Sequence, residues 1–300
     1  REGDLCIAST VDTLRKVALT SLQFQANALF MTSDSLCGEV SHLTFHESHG
    51  IALQEGRLSF AWDGEVARLP YFVFRTPSSS LVGHLHMMDY RASVWMVDAD
   101  VDAQVSYADV ERIAMLFPTI ADAESYYPKE PLMLNVAIDG PIDDLRLTHC
   151  RIAMPTIFEA QMSGEIHGLP VMHDVEMQLR LDAIAHRSDY LEALLSSRQA
   201  RRITLPWDVK LTGFLVYTAD SVGAQVQADY DGGLVDISAC YRPYCESYAV
   251  HLRVDTLDMH RIFPDEDLGR VTLQASVEGA GVEMFGAQSN IACRIHIDSV

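Results

Sequence analysis

The chain has 300 residues, 48% of them hydrophobic, and a net charge of −20. That charge argues against nucleic acid as a partner and against simple adsorption to anionic lipid headgroups. No run approaches eighteen apolar residues, so no helix spans a membrane, and no Pro/Gly/Ser-rich linker divides the sequence.

Residues 1–60 hold short alternating runs: Leu5–Ala8, Val17–Phe24, Ala28–Met31, Val40–Phe45 and Ile51–Phe60. Turn signals separate them at Ser33-Asp34, Glu47–Gly50 and Glu55-Gly56. Over Val66–Phe74, Leu69, Tyr71 and Val73 alternate against Arg68, Phe72 and Phe74 around Pro70. In Leu81–Met88, Leu81, Gly83, Leu85 and Met87 oppose Val82, His84, His86 and Met88. Ser106–Pro118 carries Val110, Ile113, Ala114 and Phe117 at helical spacing, and Pro118 stops it. Further strands are expected over Leu145–Met154, Phe158–Ile166, Val175–Ala183, Ala224–Tyr230, Leu234–Tyr241 and Ala249–Val254, with a tight hairpin at Asp231-Gly232-Gly233. A second helix is expected over Ser188–Arg202, where Asp189 and Glu192 stand at capping-box spacing. A shorter one is expected in DTLDMHRIFP, residues 255–264.

One phrase recurs three times. LMLNVAIDG (132–140), LPWDVKLTG (205–213) and VTLQASVEG (271–279) align on their final Gly, with spacings of 73 and 66 residues. Leu134, Trp207 and Leu273 then coincide, as do Val136, Val209 and Ala275, and Ile138, Leu211 and Val277. Polar or small residues stand between them, the signature of a strand with one dry and one wet face. The terminal Gly marks a bend or turn. Each copy follows a strand, a small helix and a polar connection, so the approximate units are 91–165, 166–240 and 241–300 of a single continuous array spanning 1–300. The chain opens at Arg1 without Met and stops at Val300 inside an expected strand, so it reads as a fragment of a longer protein.

Chemical motifs are sparse. The six cysteines show no C-x-x-C or zinc-finger spacing. Cys240 and Cys245 could face each other across YRPYC in an oxidising compartment, or all six could be free thiols. His42, His46 and His49 would align as metal ligands only on a helix, and this stretch reads as strand and turn. His84 and His86 share a face but are too few for a metal. Asp98, Asp100 and Asp102 alternate along a strand, and Asp63 and Glu65 flank Gly64, as a solvated acidic face would. No G-x-S-x-G, P-loop, G-x-G-x-x-G or H-E-x-x-H occurs. No catalytic residue, metal or cofactor is expected, and the protein is read as non-enzymatic.

The expected fold is mainly β: an elongated, repetitive antiparallel sheet with a few short helices, curled into an open hydrophobic groove. About twenty-five strands and turns at ~4.8 Å each would extend on the order of 100 Å, with strands of about seven residues, roughly 23 Å across. Short helices cannot cover such a face, and acyl chains would suit it. The expected floor is Leu134, Val136, Ile138, Val209, Leu211, Leu252, Val254, Leu273, Ala275 and Val277.

Ala99 to Val300 resembles the AsmA-like family of periplasmic bridge proteins, nearest to the TamB-type translocation and assembly module subunits of the Bacteroidetes kind. The resemblance rests on Val101–Pro118 with LMLNVAIDGPIDD (132–144), on ITLPWDVKLTGFL (203–215), and on Ala249–Val282 with DMHRIFP and VTLQASVEGAGV. FRTPSSSLVGHL (74–85) is similar in style. The resemblance implies a groove-forming sheet, a "β-taco", in a periplasmic segment of a parent protein anchored to the inner membrane of a Gram-negative bacterium. It implies phospholipid as cargo moving towards the outer membrane, and an outer-membrane barrel protein as partner. Trp207 and Lys210 depart from the apolar pattern of the other copies. Two other readings remain: a scaffold for outer-membrane protein insertion by strand augmentation, and an extracellular β-repeat adhesin with a closed core.

Overall fold

The structure, a computed structural model, describes residues 2–7, 17–89, 94–116, 130–186, 208–230, 233–258, 260, 269–281 and 290–299. The protein is mainly β and divides into two compact units, Arg1–Met154 and Pro155–Val300. Unit 1 contains β1 (Glu2–Ile7), β2 (Val17–Met31), β3 (Leu36–Glu47), β4 (Ala52–Trp62), β5 (Val66–Arg75), β6 (Ser80–Asp89) and β7 (Trp95–Val105). Helix α1 (Tyr107–Leu116) follows, then β8 (Leu132–Pro141) and β9 (Asp144–Met154). Unit 2 contains β10 (Phe158–His167), β11 (Glu176–Ala185), β12 (Val209–Thr218), β13 (Ser221–Tyr230), β14 (Gly233–Arg242), β15 (Ser247–Asp258), β16 (Arg270–Ala280) and β17 (Asn290–Ser299), with two 3-10 turns.

Within each unit every strand pairs antiparallel with its sequence neighbour. Among the described residues the first and last strands of a unit do not pair, so neither meander closes into a barrel. The strands are fewer and longer than expected: seventeen are described, most of ten to twelve residues, about 33 Å across. The reason is visible in β2. Val17–Phe24 and Ala28–Met31 fuse into one strand because Ser21 and Ala28, at φ 53° and 51°, form bulges where pairing with β3 shifts.

The three-copy module is realised unevenly. Helix α1 forms where helical spacing and Pro118 place it. The helix expected over 188–202 lies outside the described residues, as does Trp207. Of the helix expected over 255–264, Asp255–Asp258 instead continue β15 as strand, His260 is helical, and 259 and 261–264 lie outside the described residues. In the second copy Asp208 takes φ 54° and the strand begins only at Val209, so Gly213 falls midway along β12 and ends nothing.

Gly213 is there because of a close approach. A Cβ on it would run into the backbone of β13 at Gln225 and Val226, whereas one on Gly223 would meet nothing nearer than 3.8 Å. Gly213→Ala is therefore expected to destabilise the protein by about 1–3 kcal/mol through forced backbone displacement. Gly223→Ala should be nearly neutral, and urea unfolding of the two variants side by side checks the contrast.

Candidate functional site

Because the strands pair in register, one can read each unit across its strands as well as along them. In unit 2 one row runs Ala160, Ala183, Leu211, Ala228, Val235, Val254, Leu273, Ile297. The next row on the same face includes Met162, Leu181, Gly213, Val226, Ile237, Leu252, Ala275 and Ile295, and a third contains Leu215, Val250 and Val277. All three rows cross eight strands without one polar side chain. The row between the first two, on the opposite face, reads Gln161, Asp182, Thr212, Gln227, Asp236, Arg253, Gln274, His296, polar throughout.

Unit 1 repeats the design over β2–β9. One row is Phe24, Leu43, Gly56, Phe74, Leu81, Ala103, Leu134, Ile152; its neighbour is Ala26, Val40, Leu58, Phe72, Gly83, Val101, Val136, Cys150. Phe72 and Phe74 stack at 6.2 Å between ring centroids. Both therefore join Leu69 on the apolar face, contrary to the alternation expected from the sequence. A register shift between Leu69 and Phe72 takes up Pro70, which has no N–H for the ladder, and Tyr71.

Of the expected floor, Leu134, Val136 and Ile138 lie together on the apolar face of unit 1. Val209, Leu211, Leu252, Val254, Leu273, Ala275 and Val277 lie together on that of unit 2. Lys210 stands on the polar face opposite Asp229, so it does not interrupt the apolar rows. Cover over these faces is partial. Val254 is 5% exposed, but Ile295 and Ile297 at the β17 end of their rows are 63% and 62% exposed, and among the described residues no large side chain is fully buried.

Helix α1 lies along the hairpin turns at one end of unit 1. Asp109, 3% exposed, accepts hydrogen bonds from the Thr76 and Ser78 hydroxyls and from Arg112 Nη1 at 2.9 Å. Arg112 in turn covers Gly50, at φ +95° in the β3–β4 turn. In that same turn buried Glu47 accepts from the His49 backbone N at 2.6 Å and from Ser48 Oγ at 2.7 Å. Burial would raise the Asp109 pKa, but bonds from Ser79, Thr76, Ser78 and Arg112 outweigh it and hold the carboxyl below its ordinary range. Burial likewise opposes the His49 and Ser48 contacts that keep Glu47 low.

The polar motifs resolve into local structure. Asp63 Oδ1 accepts from the Glu65 and Val66 backbone N–H groups, closing the β4–β5 turn. His42 faces Gln23, His49 belongs to the Glu47 turn, and Arg68 donates to His86 Nε2 at 3.3 Å. Asp102 accepts from Asn135 at 2.7 Å. Among the described residues no three His, Cys, Asp or Glu side chains converge as metal ligands. Cys240 and Cys245 are free: Cys240 pairs with Ala249 in the ladder, while Cys245 sits in the 3-10 turn with Sγ 3.0 Å from Ser247 Oγ. The turn puts Cys245 beyond the last ladder pair, so the two thiols never face each other.

The class of protein these features define is a repetitive antiparallel β protein with segregated apolar and polar faces. Compared with models of known protein families, with curated proteins and with solved structures, the chain matches none.

A lowered Asp109 pKa fixes the sign of a pH effect. The carboxylate stabilises docking of α1 above the ordinary value of 3.8, and that stabilisation is lost as pH falls through the still lower folded value. Asp109→Asn, which replaces a carboxylate acceptor with an amide, is expected to cost about 1–3 kcal/mol at neutral pH. It should also flatten the loss of stability at acid pH, which urea unfolding across that range measures.

Proposed function

We propose that the protein carries phospholipid acyl chains along its apolar sheet faces and has no enzymatic activity of its own. The observation that carries this reading is the unbroken apolarity of rows crossing eight strands in each unit, set in unit 2 against a row on the other face that is polar throughout. Row positions differ in shape (Ala, Leu, Val, Phe and Gly all occur), as suits a surface that recognises apolarity rather than one molecular outline. Each methylene buried there contributes about 0.8 kcal/mol. The face is only partly covered, with Ile295 and Ile297 largely exposed, and uncovered apolar surface favours an apolar occupant. The resemblance to AsmA-like, TamB-type bridge proteins supports the same reading. The same proposal has the segment working in the periplasm, in a parent protein anchored to the inner membrane, with an outer-membrane barrel protein as partner.

The face needs no particular residue, so conservative substitutions within it should be mild. A charge is different: Val136→Asp in unit 1 or Leu273→Asp in unit 2 would set an unpaired carboxylate in the acyl path. Native mass spectrometry on the chain purified gently from a Gram-negative host should show co-purifying phospholipid. Either substitution should strip it, with circular dichroism confirming that the strands persist. A lipid-free wild-type protein, or variants that retain lipid undiminished, would overturn acyl carriage and shift weight to strand augmentation or a closed-core adhesin.

A further inference from the structure

The polar face of unit 2 holds a feature that acyl carriage does not use. Where β14–β17 present their polar rows, the surface sinks into an open depression of about 500 Å³. Its floor is set by the ladder. Arg253 pairs across with Gln274, which pairs with His296; one row on, His251 pairs with Ser276, which pairs with Arg294. The two arginines thus occupy one diagonal of a rectangle and the two histidines the other, with Gln274 and Ser276 at its centre. The strands bearing the arginines, β15 and β17, are about 10 Å apart, a gap that two guanidinium side chains can close over a single small anion.

The charge is unspent. Among the described residues neither Arg253 nor Arg294 has a hydrogen-bond or ion-pair partner. Arg180, on the same face, is instead tied to Asp182 at 3.1 Å. The one acid in the depression, Asp236, is opposite Arg253 in the ladder but accepts from Gln227 at 3.0 Å. His296 Nε2 lies 3.3 Å from Asp298, outside the depression. In a chain of net charge −20, Arg253 and Arg294, with the neutral Gln274 and Ser276 between them, outnumber the single acid of the depression, Asp236.

We infer that this depression binds a phosphate group, held by Arg253 and Arg294 with Gln274 and Ser276 as neutral donors. Guanidinium groups meet phosphate oxygens with paired, charge-assisted hydrogen bonds, and an amide and a hydroxyl supply the remaining donors. The phosphate can come from a soluble ion or ester or from a lipid headgroup at a membrane surface. The face is opposite the apolar rows, so the inference stands independently of the acyl reading.

The test uses the whole 300-residue chain with two probes: inorganic phosphate by titration calorimetry, and phosphatidylcholine vesicles with or without phosphatidate by flotation. Saturable phosphate binding that weakens as salt is raised is expected. It should fall roughly tenfold or more in the Arg253→Gln/Arg294→Gln double variant and persist in Arg180→Gln. Flotation only with phosphatidate, lost in the same double variant, supports the site and assigns it to a headgroup; calorimetric binding without flotation assigns it to a soluble phosphate. Absence of both, or a double variant that binds like the wild type, overturns the inference. Unchanged thermal unfolding of the variants shows that any loss is local, since all three arginines are exposed.

Discussion

The whole arrangement depends on antiparallel register. Side chains alternate with a period of two, so a slip of one residue would carry a strand's apolar set to the wet face and its charges to the dry one. The longest uninterrupted ladders lie in unit 2, where β10 to β15 pair without a shift until the end of β15. There the rows are pure. In unit 1 the pairing shifts repeatedly from β2 to β6, yet the apolar rows survive because each bulge absorbs the residues that would otherwise reverse the pattern.

This explains what could be read from the chain beforehand. Leu252, Val254, Leu273, Ala275 and Val277 were legible because β15 and β16 obey simple alternation where those residues stand, and neighbouring strands inherit their facing through the ladder. The aromatic stretch around Pro70 was not, since alternation has no means of locating a bulge; the missing N–H of Pro70 was the available signal. The strand continuing through Asp255–Asp258 was likewise hidden. Thr256 and Leu257 read as the start of a helix beside Asp258, but a shift at Thr256, at φ 52°, keeps the segment paired with β16. The basic rectangle of β15 and β17 escaped sequence reading altogether. Its four members are separated by up to 45 residues, and only the intervening β16 brings them to one surface.

The two faces impose different demands. The apolar face specifies little beyond hydrophobicity, as its mixture of alanine, glycine, leucine and phenylalanine shows, and tolerance follows from that. The polar face is differentiated: a row carrying Asp182 and Asp236 on one side of the sheet ends at β15–β17 in arginine and histidine. Specific recognition is therefore concentrated on the wet side, while the dry side provides extended surface. α1 introduces a third element, a polar clasp on the turns of unit 1, where buried Asp109 joins a helix to a hairpin two strands away.

The meander also bears on how such a protein is made. Within a unit no strand waits for a partner from a distant part of the sequence; each finds its neighbour across a turn or a single connection. Loop-closure entropy is then met in small steps, and the sheet can grow one strand at a time as the chain is delivered. Inserting or removing one hairpin would lengthen or shorten a unit by about 10 Å and leave the remaining ladder intact. Length is then an adjustable quantity, changed in increments of two strands rather than by redesign of a core.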